Sequence, residues 1–396
     1  MAEKELRLNW LLCGSLIVSI GSSLLWPLTT IYLHNYLHQN LTTAGVVLFI
    51  NSLALILGSY LGGIIYDRDR ANVRRWLLLA IFLATLAVFL LIFFNGWPTF
   101  ALLLLVDNFG GGVSTTLVNS LATGIKEKSS RQVFNLMYFM QNVGVVIGTL
   151  LVGFIVEIDI RWIFITNFVL FLFFLVIVYR HYYVPKAALS HVSPGQPTAQ
   201  QVKRTPVRYV IVIFAILGLF FAIEAGYSQW QSNLSIYMES LGISVKNYGF
   251  LWTINGLVIV FGQPLLNKLL DDWLEVKLVN KIYLGASLFT LGFVTLLYAQ
   301  TYVHFVVTMI IITLGEILTF PTIPALVDTL STLGEKGKYQ GAVSIFAALG
   351  RAIGPLVGGI LIDGFSYQVL FLAMIGLMAL ATVNLLFVAK INLSKK

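Results

Sequence analysis

The chain has 396 residues, of which 58% are hydrophobic and only 11% charged, and its mean hydropathy is +0.88. Soluble domains carry about 25% charged residues, so a chain this apolar cannot hide its surface in one aqueous core, and its solvent is a bilayer. The net charge of +8 raises the question of nucleic acid, which the placement of the charges answers below, and the single cysteine, Cys13, excludes an internal disulfide and a cysteine-based metal site.

A spanning helix needs about 20 apolar residues, and twelve segments qualify. The N-terminal MAEKELRLNW leads into the first, 9–33, without a small-residue cleavage signature, and reads as the start of a helix rather than a cleaved signal peptide. That span contains SSLLWPLTTIY (22–32), with Trp26, Tyr32 and a proline, Pro27, that removes one N–H from the helix ladder. Span 2, 42–66, runs into GGIIYDRDRANVRR (62–75), which holds Gly63, Asp67, Arg68 and Arg74. Span 3, 76–95, ends at the break Asn95-Gly96-Trp97-Pro98. Span 4, 99–124, carries Asp107; span 5, 132–156, carries Gly144 and Gly148; span 6 covers 162–184. The one long polar connection, PKAALSHVSPGQPTAQQVKRTP (185–206), reads as an extended, mobile linker. It divides the chain into a six-span half at 1–184, a linker at 185–207 and a second six-span half at 208–396. Span 7, 208–237, carries Glu224, Tyr227 and Trp230; span 8, 247–270, carries Trp252; span 9 covers 280–299. Span 10, 303–329, carries Glu316 and Phe320; span 11, 340–363, carries Gly350, Arg351, Gly354 and Pro355; span 12 covers 367–390.

Lys and Arg collect in loops on the cytoplasmic side of a membrane. With the N-terminus inside, only Arg161 and Lys246 of the 25 basic residues fall outside, and Arg351 falls within a span. Both termini and the linker are therefore expected in the cytoplasm, in a cell-membrane protein. Positive loops facing anionic lipid account for the basic character without nucleic acid.

The two halves resemble each other. NVGVVIGTLLVGFI in span 5 and LGRAIGPLVGGILI in span 11 align at an offset of 206, pairing Gly144 with Gly350 and Gly148 with Gly354. Small residues four apart share one helix face and let a neighbouring backbone approach. At an offset of 209, LVNSL (117–121) aligns with LVDTL (326–330), and Asp107 falls opposite Glu316.

Twelve spans, a six-plus-six division and a cytoplasmic middle loop resemble the major facilitator superfamily. The loop after span 2 carries the sharper resemblance. The superfamily has Gly, three residues, Asp-Arg, then Gly and a basic pair. Gly63, Asp67 and Arg68 match, whereas Arg74 and Arg75 lie further along with no glycine between. The resemblance implies an all-α membrane fold of two six-helix bundles related by a pseudo-twofold axis along the membrane normal, with a midplane cavity lined by spans 1, 4, 7 and 10. It also implies that the loop braces spans 2 and 11 in the outward-facing state, Asp67 bonding N–H groups at a helix N-terminus. The alternative is an ordinary positive loop, which needs no aspartate.

GRAIGPLVGG (350–359) resembles an element of the 12-span drug:proton antiporters that usually marks span 5; here it lies in span 11, and Thr149 stands where span 5 would have the proline. The antiporters' span-4 arginine is absent. TLGEI (313–317), KGKYQGAVSI (336–345) and FNLMYFMQN (134–142) resemble the multidrug members. By motif their span-10 glutamate carries over to Glu316, while their span-5 and span-7 aspartates would fall on Met137 and Gln231. Their full proton relay is thus not carried over.

Glu316 lies about 13 residues from the outer end of its span, roughly 18–20 Å deep. An ionisable side chain there costs about 2.5–3.5 kcal/mol on insertion scales and faces protein or a wet cavity. Glu316, Asp107 and Glu224 are the expected proton-coupling residues. Arg351, at similar depth, either pairs with Glu316 or contacts an anion elsewhere. Trp26, Tyr32, Tyr227, Trp230, Trp252 and Phe320 could form an aromatic wall for a lipophilic or cationic small molecule, although Trp and Tyr near span ends also serve as interfacial anchors. His34 and His38 have no third ligand, and no metal or cofactor is expected. No nucleotide-binding glycine loop or nucleophile motif is present, so an enzyme is not expected. The sequence points to a monomeric secondary transporter, with proton-coupled multidrug efflux by alternating access as the leading function. A symporter for sugars or other nutrients, a lipid flippase, a non-transporting receptor of the same fold and a membrane enzyme are the alternatives.

Overall fold

The computed structural model of the chain describes residues 6–69, 72–125, 127–128, 130–183, 204–273, 277–332 and 335–393. Residues 185–203 of the expected linker lie outside these. Among the described residues, twelve helices are long and apolar enough to cross a membrane: Leu8–Tyr36, Leu41–Arg68, Val73–Leu91, Thr99–Ala122, Gln132–Val156, Arg161–His181, Val207–Gln231, Val245–Leu270, Leu278–Leu296, Tyr302–Leu330, Lys338–Gly364 and Tyr367–Asn392. They are spans 1–12 of the sequence, displaced by a few residues at their ends.

Two spans are interrupted where the sequence suggested continuity. Span 7 stops at Gln231, turns at Ser232 (φ −120°, ψ −77°) and resumes as a short helix, Asn233–Ser240. Span 10 stops at Thr319 and resumes as Thr322–Leu330. Pro321 and Pro324 supply the reason for the second break, since neither has an N–H to continue the ladder. In span 1, Pro27 is tolerated inside the helix, and the last turn, Tyr32–Tyr36, widens into a π-helix.

The helices fall into two compact units, one of residues 1–39 and 47–194, the other of residues 40–46 and 195–396. In the first, span 1 lies against spans 5 and 6, and span 3 against spans 4 and 6. In the second, span 7 lies against spans 11 and 12, and span 9 against spans 10 and 12. Each of these four relations in the first unit recurs in the second with the span numbers raised by six.

Glycines set these distances. A Cβ at Gly144 would come 2.6 Å from Ser19 Cβ and 2.8 Å from the Leu16 carbonyl; at Gly350 it would come 2.6 Å from the Phe221 carbonyl and 2.7 Å from Glu224 Cβ. Gly148 and Gly354 repeat the arrangement one turn on, against Ile20 and Ala225. The aligned glycines therefore occupy equivalent seams, 5 against 1 and 11 against 7, where Glu224 takes the place of Ser19. Spans 4 and 10 align differently from the sequence pattern. Gly110 lies on the Ala80 carbonyl as Gly315 lies on the Gly285 carbonyl. That correspondence pairs Glu316 with Gly111 and leaves Asp107 one turn away. The matching LVNSL and LVDTL segments missed this because span 10 is broken between Gly315 and LVDTL.

Candidate functional site

Within the second unit, spans 7, 8, 10 and 11 bring a set of polar side chains together. Glu316 on span 10 is 9% exposed. Its Oε2 accepts from Asn255 Nδ2 at 2.9 Å, and the same amide nitrogen donates to Thr313 Oγ1 at 3.0 Å. Tyr227 also hydrogen-bonds the Glu316 carboxyl. Every one of these partners is neutral. A carboxyl held this way can gain or lose a proton without breaking an ion pair.

Glu224 on span 7 has the opposite surroundings. Its side chain is 2% exposed, and Arg351 Nη1 donates to its Oε1 at 2.5 Å. Arg351 thus takes Glu224 as its partner rather than Glu316, resolving the alternatives left open by the sequence. The seam explains the choice: Gly350 rests on the backbone beside Glu224, which fixes the rotation of span 11 against span 7. The Arg351 side chain is 46% exposed, so the buried carboxylate is neutralised by a partner that is itself only partly buried.

Aromatic rings border the Glu316 end of this cluster. Tyr227 meets Trp252 edge-on at 5.9 Å and Phe320 at 5.5 Å, and Phe320 stacks on Phe289 at 6.2 Å. Of the expected aromatic residues, Tyr227, Trp252 and Phe320 therefore come together. Trp230 is fully buried, and its carbonyl accepts from the Tyr248 hydroxyl at 2.7 Å. In the first unit, Tyr32 packs among Phe100, Phe164 and Tyr36, and Trp26 is half-buried.

One turn further along span 7, Gln229 Nε2 donates to the Gly354 carbonyl at 2.7 Å, and Asn233 Nδ2 donates to Gln229 Oε1 at 2.7 Å and to the Pro355 carbonyl at 3.4 Å. These amides clasp span 11 at its proline. Pro355 cannot donate to the carbonyl of Arg351, so the helix is weakest there and is held by side chains of its neighbour. Asn255, Thr313, Gln229 and Asn233 were missed by sequence reasoning. The available signal was a strong hydrogen-bonding amide inside an apolar run, as in LWTINGLVIV.

The remaining expected residues lie in the first unit. Asp107 is partly exposed and forms no hydrogen bond or ion pair among the described residues. Asp67 and Arg68 are exposed, and Asp67 is likewise without a partner there. Asp69 is the engaged acid of that loop: Asn72 Nδ2 donates to Oδ1 at 2.9 Å and Trp76 Nε1 to Oδ2 at 3.0 Å. The Trp76 bond, then that of Asn72, holds its carboxyl below the usual range. Arg74 donates to the Tyr179 carbonyl and lies over the Tyr183 ring at 4.4 Å. Open space surrounds the Cβ position of Gly63.

The family description "Major Facilitator Superfamily" matches residues 11–351. The chain belongs to that superfamily. It is 35% identical over 393 residues to YttB, an uncharacterised MFS-type transporter of Bacillus subtilis strain 168, with 98% of this chain and 97% of the relative covered. It is 22% identical to multidrug resistance protein 1 of the same organism, covering 92% of this chain and 91% of that one. Among solved structures, a peptide transporter POT mutant in complex with sulfate matches with a TM-score of 0.81 at 16% identity, covering 96% and 94% of the two chains. The nucleoside transporter NupG matches with a TM-score of 0.77 at 13% identity, covering 97% and 99%. As a superfamily member, the chain is a multi-pass membrane protein and a secondary transporter.

Proposed function

We propose that the chain exports amphipathic or cationic compounds in exchange for protons, by alternating access, as a monomer in the cell membrane with both termini in the cytoplasm. The observation that carries this reading is Glu316: a membrane-depth carboxyl with only neutral hydrogen-bond partners, set beside Tyr227, Trp252 and Phe320. A cation is attracted by both the carboxylate and the ring faces, and a proton competes with it at the carboxylate. Protonation and cargo then exclude each other, which is the requirement for exchange. The likeness to multidrug resistance protein 1 supports the cargo class. Glu224 and Asp107 are the further acids of the relay in this reading. Arg351 steadies the first, and the loop of Gly63, Asp67, Arg68 and Arg74 serves as the cytoplasmic gate.

The test is transport in proteoliposomes with an imposed pH gradient and a panel of cationic, zwitterionic and neutral compounds. Gradient-driven accumulation of lipophilic cations is expected. Glu316→Gln is expected to lower it at least about tenfold, the effect of losing about 1.4 kcal/mol of coupling, while the protein remains folded. Unchanged accumulation and pH dependence in Glu316→Gln would remove the proton role. Uptake of a neutral solute down the proton gradient would favour the symporter reading instead.

A further inference from the structure

Spans 2 and 8 start in the same way. Asn40 Oδ1 accepts from Thr43 N at 2.8 Å, as Ser244 Oγ accepts from Asn247 N at 3.3 Å. The Asn40 carbonyl accepts from Ala44 N at 3.1 Å, as the Ser244 carbonyl accepts from Tyr248 N at 3.2 Å. These caps set an offset of 204 between the two spans, at which Gly58 pairs with Gly262 and Asn51 with Asn255. Gly110 and Gly315 set an offset of 205 between spans 4 and 10. There Asn108 Nδ2 donates to the Leu104 carbonyl at 2.8 Å, as Thr313 Oγ1 donates to the Met309 carbonyl at 2.7 Å. The first unit therefore repeats two neutral members of the Glu316 cluster, Asn51 for Asn255 and Asn108 for Thr313, with Gly111 at the position of the glutamate.

The two asparagines differ in what they bond. Asn255 donates to Glu316 and Thr313. Asn51 is 6% exposed and forms no hydrogen bond among the described residues. A buried amide without a partner is costly. There is room beside span 4 for an acceptor. A Cβ at Gly111 would meet nothing closer than Leu55 Cδ1 at 4.0 Å, although the next residue, Gly112, lies hard against the Leu55 carbonyl. Spans 2 and 4 thus touch, and the open space is local to position 111. Helical side chains lean towards the helix N-terminus, so a group occupying that space extends from Gly111 towards Asp107, one turn or about 6 Å away. Asp107 also forms no hydrogen bond or ion pair among the described residues.

We propose that Asn51, Asp107 and the open face of Gly111 form a second cargo subsite, within the first unit, that selects basic amines carrying an oxygen acceptor about one helical turn from the nitrogen. The cargo's carbonyl or ether oxygen accepts from Asn51 Nδ2, as the Glu316 carboxylate accepts from Asn255, and its ammonium pairs with Asp107. A carboxylate in that place is disfavoured, because Asp107 repels it. The subsite rests on the cationic-cargo reading above, and not on proton exchange at Glu316.

Equilibrium binding to the purified protein in detergent, at fixed pH, tests it with a matched pair of probes. One is a phenyl ketone whose carbonyl is joined to a diethylamino group by a three-carbon chain. The other has a methylene in place of the carbonyl. The wild type is expected to bind the ketone about fivefold tighter, the effect of one net hydrogen bond. Asn51→Leu removes the donor and is expected to abolish the preference, while Asp107→Asn weakens both probes. Gly111→Glu has room for its Cβ and brings a carboxyl to Asn51, so it should abolish the preference too; it decides if Asn51→Leu fails to fold. Equal affinities for the two probes in the wild type, or a ketone preference that persists in a folded Asn51→Leu protein, would overturn the subsite alone. Binding of neither probe would remove the cationic-cargo reading and the subsite with it. Loss of the proton role of Glu316 would leave the ketone preference standing, since no pH gradient enters the measurement.

Discussion

The Glu224–Arg351 pair has a testable energetic signature. Removing the arginine strands a carboxylate that is 2% exposed. Breaking a buried pair costs about 3–5 kcal/mol; water reaching the half-exposed arginine position reduces this to about 2–4 kcal/mol. Arg351→Ala is therefore expected to lower the melting temperature in detergent clearly, and Glu224→Gln added to it should restore most of the loss. Equal losses in the single and double variants would mean that Arg351 stabilises by packing alone. The pairing was not legible in the sequence. Depth placed Arg351 level with Glu316, but the choice of partner depends on rotation about the span axes. That rotation is set by Gly350 and Gly354 against span 7. Depth can be counted from a span end, whereas azimuth needs the neighbour.

At the scale of elements, hydropathy located all twelve spans because each must hide its backbone from lipid for about 30 Å. It missed the breaks at Ser232 and Phe320, because an apolar count records the length of a span and not the continuity of its helix. Both breaks adjoin the site. Polar ties fix the loops as well. Glu335, just before span 11, accepts from Thr205 N at 2.8 Å, joining the residues that precede span 7 to the start of span 11. This backbone bond, then the Thr205 hydroxyl, holds the Glu335 carboxyl below its ordinary range. A depressed carboxyl contributes stability above its unfolded pKa and loses it as pH falls through the folded one. The tie is thus intact at neutral pH and dissolves in acid. Amide exchange at Thr205, corrected for intrinsic rates, is expected to be slow at neutral pH and several-fold faster in Glu335→Gln. Identical protection in both proteins would show that the bond does not persist in solution.

For the whole molecule, composition alone fixed the solvent, and the repeat was visible where small residues form it. The glycine alignment of spans 5 and 11 proved equivalent in contacts, whereas the alignment of spans 4 and 10 slipped by a turn across the break at Pro321. The seams between spans 1 and 5 and between spans 7 and 11 also bear on which sequences this protein can become. At Gly144, Gly148, Gly350 and Gly354 even one methyl would press on backbone or on an immobile Cβ, and overpacking of this kind costs about 1–3 kcal/mol. Exposed positions on the spans, such as Leu102, Phe173 and Leu380, which are 60%, 55% and 72% exposed, have little packing to offend. In a saturation-mutagenesis library selected for folded protein, these four glycines should therefore reject alanine, while the three exposed positions accept any apolar side chain. The freedom of the chain to drift would lie on its outside, and its heredity in four missing methyl groups.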